Sequence, residues 1–155
     1  MQIRLLLTNT DLSLRAKRIV LKATGKIMRE LTIFYDGTCP LCVKEMTALT
    51  KRDTAQRIAT VDIYSEDFAH YPNIDANEAN TILHALDADG NLILGLDVTH
   101  QAWRLVGMGW LYAPLRWPII KPLADKLYLV FAKNRYRISY WLTGRSRCDN
   151  GVCRK

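Results

Sequence analysis

Nowhere in these 155 residues is there a run of roughly 20 uninterrupted apolar side chains, the length a membrane span requires. The early apolar run Ile3 to Leu7 is broken by Arg4 and is too short for the core of a secretory signal. The 8 glycines form no phosphate loop, and no serine sits in a nucleophile context. Three histidines add little. His70 and His100 fall in or near expected loops without metal-ligand spacing to a cysteine. His84 falls in an expected strand with Ile82 and Leu86 on its face, the setting of a satisfied core histidine. These absences point to chemistry without an organic cofactor and to a cytoplasmic, reducing setting, where a cysteine pair is more often catalytic or metal-binding than a permanent bridge.

What is present is enough apolar material for one real core, 49% of the residues, so that none of the four cysteines is required for folding. Charge is unevenly placed: residues 1–30 carry a net +5, residues 31–132 a net −4 and residues 133–155 a net +6. We therefore expect a basic N-terminal extension (1–30), a central domain with C-terminal helices (31–142) and a basic, cysteine-containing tail (143–155). Basic ends suit peripheral contact with an anionic membrane, although a solvated charge run is the commoner case, and a nucleic-acid role is not expected. Two readings of the extension stand. Either the natural product begins at Met28 and the preceding segment is not native, or Asp11 to about Ala23 forms an amphipathic surface helix.

The chemistry concentrates in Asp36-Gly37-Thr38-Cys39-Pro40-Leu41-Cys42, between the apolar run Leu31 to Tyr35 and a segment of helical period. Proline suits the first position of a helix, which makes Cys39 the N-cap and puts Cys42 about 5 Å away on the same face. Unpaired N–H groups and the helix dipole favour thiolate at Cys39. Cys42 begins an apolar stripe with Met46 and Leu49, while Lys44, Glu45, Lys51 and Arg52 lie off it. The pattern predicts an exposed, attacking Cys39 and a buried, resolving Cys42. Thr38 and Pro40, beside the first cysteine, are the adjoining substrate-contact candidates. Asp36 has two readings: acceptor of the Cys42 proton, or a residue that merely stabilises the Asp-Gly turn.

In order, the chain predicts a strand at Leu31 to Tyr35, a helix from about Pro40 to Arg52, and a parallel strand at Ile58 to Tyr64. Short helical turns follow in the region 65–80. Strands at Thr81 to Leu86 and Leu92 to Leu96 are split by the hairpin signal Asp87-Ala88-Asp89-Gly90-Asn91. A helix capped by Asp97 comes next. Beyond Gly107 the sequence is aromatic and punctuated by Pro114, Pro118 and Pro122, and a helix can run from Pro122 to about Leu142, stopped by Gly144. Its aromatics suit packing on the sheet, or else an interfacial membrane helix.

The Asp-x-x-Cys-x-x-Cys segment and this order of elements resemble the DCC family of predicted thiol-disulfide oxidoreductases. The likeness runs from about Leu31 to Arg137 and includes Asp89-Gly90, Gly95 and Ala132-Lys133-Asn134-Arg135-Tyr136-Arg137. It implies a thioredoxin-like three-layer α/β fold with a four-stranded mixed sheet, extended by aromatic C-terminal helices, and it puts Asp36, Cys39 and Cys42 at the signature positions. Pro40 after the first cysteine looks like the glutaredoxin arrangement. Thioredoxin-like proteins generally place a cis-proline before the third strand; here Asn80-Thr81 stands there, and Thr81 is the residue expected to offer main-chain contacts to substrate. The substrate would be a protein or low-molecular-weight disulfide.

Cys148 and Cys153 flank an Asn150-Gly151 turn signal. They can form a second, shuttle dithiol, a local disulfide or idle thiols, or join Cys39 and Cys42 as a four-cysteine zinc site in a non-enzymatic interaction module.

Overall fold

A computed structural model describes residues 29–144 and Arg147; the readings offered for residues 1–28 and for Cys148 and Cys153 lie outside them. β1 (Leu31–Tyr35) leads into α1 (Pro40–Arg52) and β2 (Ile58–Asp62). A 3₁₀ segment (Glu66–His70) and α2 (Ala76–Thr81) follow, then β3 (His84–Asp87), β4 (Leu92–Leu94) and α3 (Leu96–Leu105). Two 3₁₀ turns, Gly109–Leu111 and Ala113–Arg116, precede the long α4 (Lys121–Thr143).

The sheet has the order β2-β1-β3-β4, with β1 and β2 parallel and the other pairs antiparallel. Because side chains alternate along a strand, β1 feeds two cores. Leu31 and Ile33 join Met46 and Leu49 of α1 and Val98, Ala102 and Trp103 of α3. Phe34 joins Val61, Ile63, Ile74 and Ala79 on the opposite face, covered by the 3₁₀ segment and α2. The result is the three-layer, thioredoxin-like fold with a four-stranded mixed sheet. His84 is buried in β3, its Nδ1 2.7 Å from the carbonyl of Ile82, as a core histidine should be.

Local chemistry explains where the elements start and stop. Asp53 caps the end of α1 and accepts the N–H groups of Arg57 (3.0 Å) and Ile58 (2.7 Å), turning the chain directly into β2. Asp75 accepts from Asn77 and Glu78 (2.8 and 2.9 Å), so Thr81, expected at the head of a strand, ends α2, Ile82 caps it, and β3 starts at His84 instead. Asp97 is not the cap of α3: Gly95 is, at φ +60°, and Asp97 sits in the first turn. β2 stops at Asp62 because that carboxylate folds back onto the N–H groups of Tyr64 (3.1 Å) and Gly37 (3.0 Å). At the far end, Gly144 at φ +72° terminates α4 as the sequence predicts.

The expected packing of aromatics on the sheet is only partly realised. Tyr112 stacks on Trp103 and the Tyr128 hydroxyl accepts the Leu83 N–H, whereas Trp110, Trp117 and Trp141 are exposed.

A Cβ on Gly37 would collide with the Asp62 carboxylate. Gly37→Ala must therefore displace the carboxylate that joins the two turns, and we expect a loss of about 1–3 kcal/mol, read as a lower urea midpoint. An unchanged midpoint would show that the turn tolerates a side chain.

Candidate active site

The turn between β1 and α1 is built on Asp36, which is buried at the end of the strand. Its Oδ1 accepts the Thr38 N–H (2.8 Å) and the Thr38 hydroxyl (2.7 Å), and its own carbonyl accepts the Cys39 N–H (3.2 Å). This is the side-chain-to-backbone turn that short acidic residues make readily. Pro40 then starts α1 with Cys39 at the N-cap. The Cys39 sulfur accepts the Cys42 N–H at 3.5 Å, so the two cysteines are brought together at the head of the helix as free thiols.

The second half of the site comes from α4. Arg135 donates to Asp36 Oδ2 at 2.7 Å and also to Asn80 Oδ1, which ties α2 into the same corner. The Tyr136 hydroxyl donates to Asp36 Oδ2 and lies 3.5 Å from Thr38 Oγ1. Guanidinium groups of Arg135 and Arg147 approach the Tyr136 ring, at 5.0 and 5.3 Å from its centre. Asp36 therefore serves the turn, as one reading held, and also holds α4. Both its oxygens are occupied by donors.

Electrostatics separate the two thiols. Cys39 is lowered to about 7, chiefly because the Cys42 thiol donates to it, then through the Cys42 N–H and the nearby Arg135 charge; burial and Asp36 act against this. Cys42 is driven strongly upward by that same hydrogen bond, by burial and by the charge on Cys39. The two pKa values move apart, Cys39 down and Cys42 up, but the expected exposure is corrected. Cys39 is 0% exposed and Cys42 half-buried, because α4 packs against α1 and brings Arg135 and Tyr136 to the helix start.

Behind Cys42 lies a cavity of about 50 Å³, whose lining includes Asp36, Cys42, Glu45, Thr99, Tyr128 and Arg135. A space of this size accommodates about one or two waters. Glu45, placed off the apolar stripe by sequence, is turned into it. Burial raises its pKa, opposed by the Trp103 indole N–H at 3.4 Å. Burial likewise pushes the Tyr128 hydroxyl up to about 12.

Thr38 and Pro40 adjoin Cys39 as expected. Thr81 is the last residue of α2, its hydroxyl donating to the Asn77 carbonyl at 2.9 Å, and no bond links it to the dithiol. The segment that follows is engaged internally: the Leu83 N–H goes to Tyr128 and its carbonyl to the Gly95 N–H. Sequence reasoning missed the roles of Arg135, Tyr136, Asn80 and Glu45. The first two lie within the resembling stretch but carried no assigned task. Among the described residues, no three His, Cys, Asp or Glu side chains gather as a metal site; the four-cysteine zinc reading depends on Cys148 and Cys153.

A low-pKa cysteine at the N-cap of the helix after β1, paired with a high-pKa cysteine one turn on, defines a thioredoxin-like dithiol protein. The family described as DCC1-like thiol-disulfide oxidoreductase matches residues 33–141, and the chain belongs to that family. It is also similar to a chloroplastic protein of Arabidopsis thaliana, 34% identical over 113 residues, covering 71% of this chain and 53% of that protein. The chain thus spans about half the length of this plant relative. No solved structure matches it.

Thiolate is the reactive form, so alkylation of Cys39 should accelerate with rising pH and reach half its limiting rate near pH 7. Arg135→Met removes a positive charge and leaves Asp36 unopposed, both of which favour the thiol. The midpoint should move up, measured by iodoacetamide labelling followed by peptide mass analysis. A midpoint that stays put would remove Arg135 from the electrostatics of the site.

Proposed function

We propose that the chain is a thiol-disulfide oxidoreductase that reduces a protein or low-molecular-weight disulfide with Cys39 as attacking and Cys42 as resolving thiol. The observation that supports this most directly is the opposed shift of two thiols that share one hydrogen-bonded turn. Cys39 thiolate attacks one sulfur of the substrate; a Cys39–substrate disulfide forms and the other substrate sulfur leaves as thiolate. Cys42 then loses its proton and attacks Cys39, releasing the second substrate thiolate. Two electrons pass to the substrate, the protein ends as the Cys39–Cys42 disulfide, and two molecules of a small thiol return it to the dithiol, leaving as their own disulfide.

Because Cys39 has no exposed surface, substrate entry requires the side chains that cover it to part. The proton of Cys42 needs an acceptor. Asp36 is saturated by Thr38, Arg135 and Tyr136, whereas Glu45 shares the cavity with Cys42 and has a raised affinity for protons. We assign the proton to Glu45, through a water in that cavity. The reading takes the dithiol to work in a cytoplasmic, reducing setting; the name of the plant relative places that protein in the chloroplast.

Cys42→Ser should accumulate a mixed disulfide with oxidised glutathione, seen as a mass adduct on Cys39, and Cys39→Ser should not. Absence of any adduct in both variants sinks the oxidoreductase reading. Glu45→Gln keeps an acceptor for the Trp103 indole but cannot take the proton. Stopped-flow measurement should show an unchanged first step and a resolution step slower by about 10²-fold; equal slowing of both steps would mean a structural role.

A further inference from the structure

The long C-terminal helix has an apolar face that the fold leaves uncovered. Leu123, Leu127, Val130 and Trp141 of α4 are all exposed, Trp141 to 88%. At about 100° per residue they fall within an arc of about 60° and extend about 27 Å along the axis. Trp117 (62% exposed) and Ile119 (90%) precede the first turn of α4, and the Trp117 carbonyl accepts the Lys121 N–H. The strip is interrupted once, by Asn134, whose amide donates to the Val130 carbonyl at 2.9 Å; large apolar side chains so exposed on either side of it mark an interaction site and not ordinary surface scatter.

The charge around this face is of one sign. Asp125 is the only acidic residue of α4 and is consumed by Arg116 and Lys121. Lys126, Lys133 and Arg137 follow one flank of the apolar strip, about 40–80° from Leu123 around the axis. Two copies packed antiparallel through such a face would bring their basic flanks together, which disfavours that form of homodimer. Tryptophan at both ends, aliphatic residues between and cations along one side suit the boundary between lipid headgroups and acyl chains. None of the helices among the described residues is long and apolar enough to cross a membrane, so the fitting mode is to lie on the surface.

We propose that α4 and the Trp117–Ile119 segment before it dock the protein on an anionic lipid bilayer, with the helix axis in the membrane plane. Arg135 points about 120° away from Leu123 around the helix, so the dithiol is not covered by the docked face. The proposal is independent of the thiol chemistry.

The test is co-sedimentation of the full chain with vesicles of phosphatidylcholine alone or mixed with phosphatidylglycerol, at about 0.1 M salt. Binding is expected to the anionic vesicles, and the exposed-face double variant Leu127→Glu, Trp141→Ser should bind about tenfold more weakly while keeping the circular dichroism of the parent. No sedimentation with anionic vesicles overturns the proposal. Equal binding by the double variant also overturns it and assigns the attraction to the basic chain ends. A parent dimer that the double variant converts to monomer, seen by light scattering, assigns the face to a second copy instead.

Discussion

The buried carboxylate of Asp36 connects what would otherwise be three separate pieces. Through Thr38 it shapes the turn that lets Pro40 begin α1, and through Arg135 and Tyr136 it anchors α4 across the same corner. Arg135 carries the connection on to Asn80 at the end of α2. A carboxylate taken out of water needs such partners, and removing either member of a buried ion pair leaves an uncompensated charge whose cost is several-fold larger than the net value of the pair. Asp36 and Arg135 also act with opposite sign on both cysteines. The difference between the thiols therefore rests first on the hydrogen bond between them, and the ion pair supplies the scaffold on which that bond is held.

α4 has two unlike sides. Its inward side supplies Ala124, Arg135 and Ser139, all buried, together with Tyr128, while its outward side carries open apolar residues flanked by Lys126, Lys133 and Arg137. The position of its first turn is set by Arg116, which pairs with Asp97 at the start of α3 and with Asp125, and by Lys121, which reaches the same two carboxylates. Isolated exposed pairs contribute little, but here a guanidinium with little exposed surface links two helices, so geometry as well as charge is fixed.

What could be read from sequence is what short-range rules govern. Leu31 to Tyr35 as a strand, Pro40 as a helix start, Cys39 as the cap and Gly144 as a stop all follow from propensities and backbone constraints within a few residues. The β3 boundary differs from the apolar pattern because Asp75, itself a local signal, caps a helix that carries the chain through Thr81. Glu45 illustrates a different limit. One turn after Cys42 it looks like part of a charged helix face, and only the arrival of Trp103 and Tyr128 from distant elements makes its surroundings apolar. Cys39 was expected at the surface for the same reason, since the residues that bury this corner are nearly 100 positions away in the chain. Lipid docking could be named as one reading of the aromatic region, but which tryptophans face out is decided by packing.

That separation bears on how the protein is made. Chains leave the ribosome from the N-terminus, so the dithiol emerges well before Arg135, Tyr136 and Tyr128 have been synthesised. Until α4 folds back, Asp36 has no guanidinium to answer it, the cavity behind Cys42 has no far wall, and the two thiols behave as those of an open helix terminus. The charge of Arg135 and the burial of this corner thus arrive last in biosynthesis, and a truncated or stalled chain carries both cysteines with the hydrogen bond between them as their main distinction.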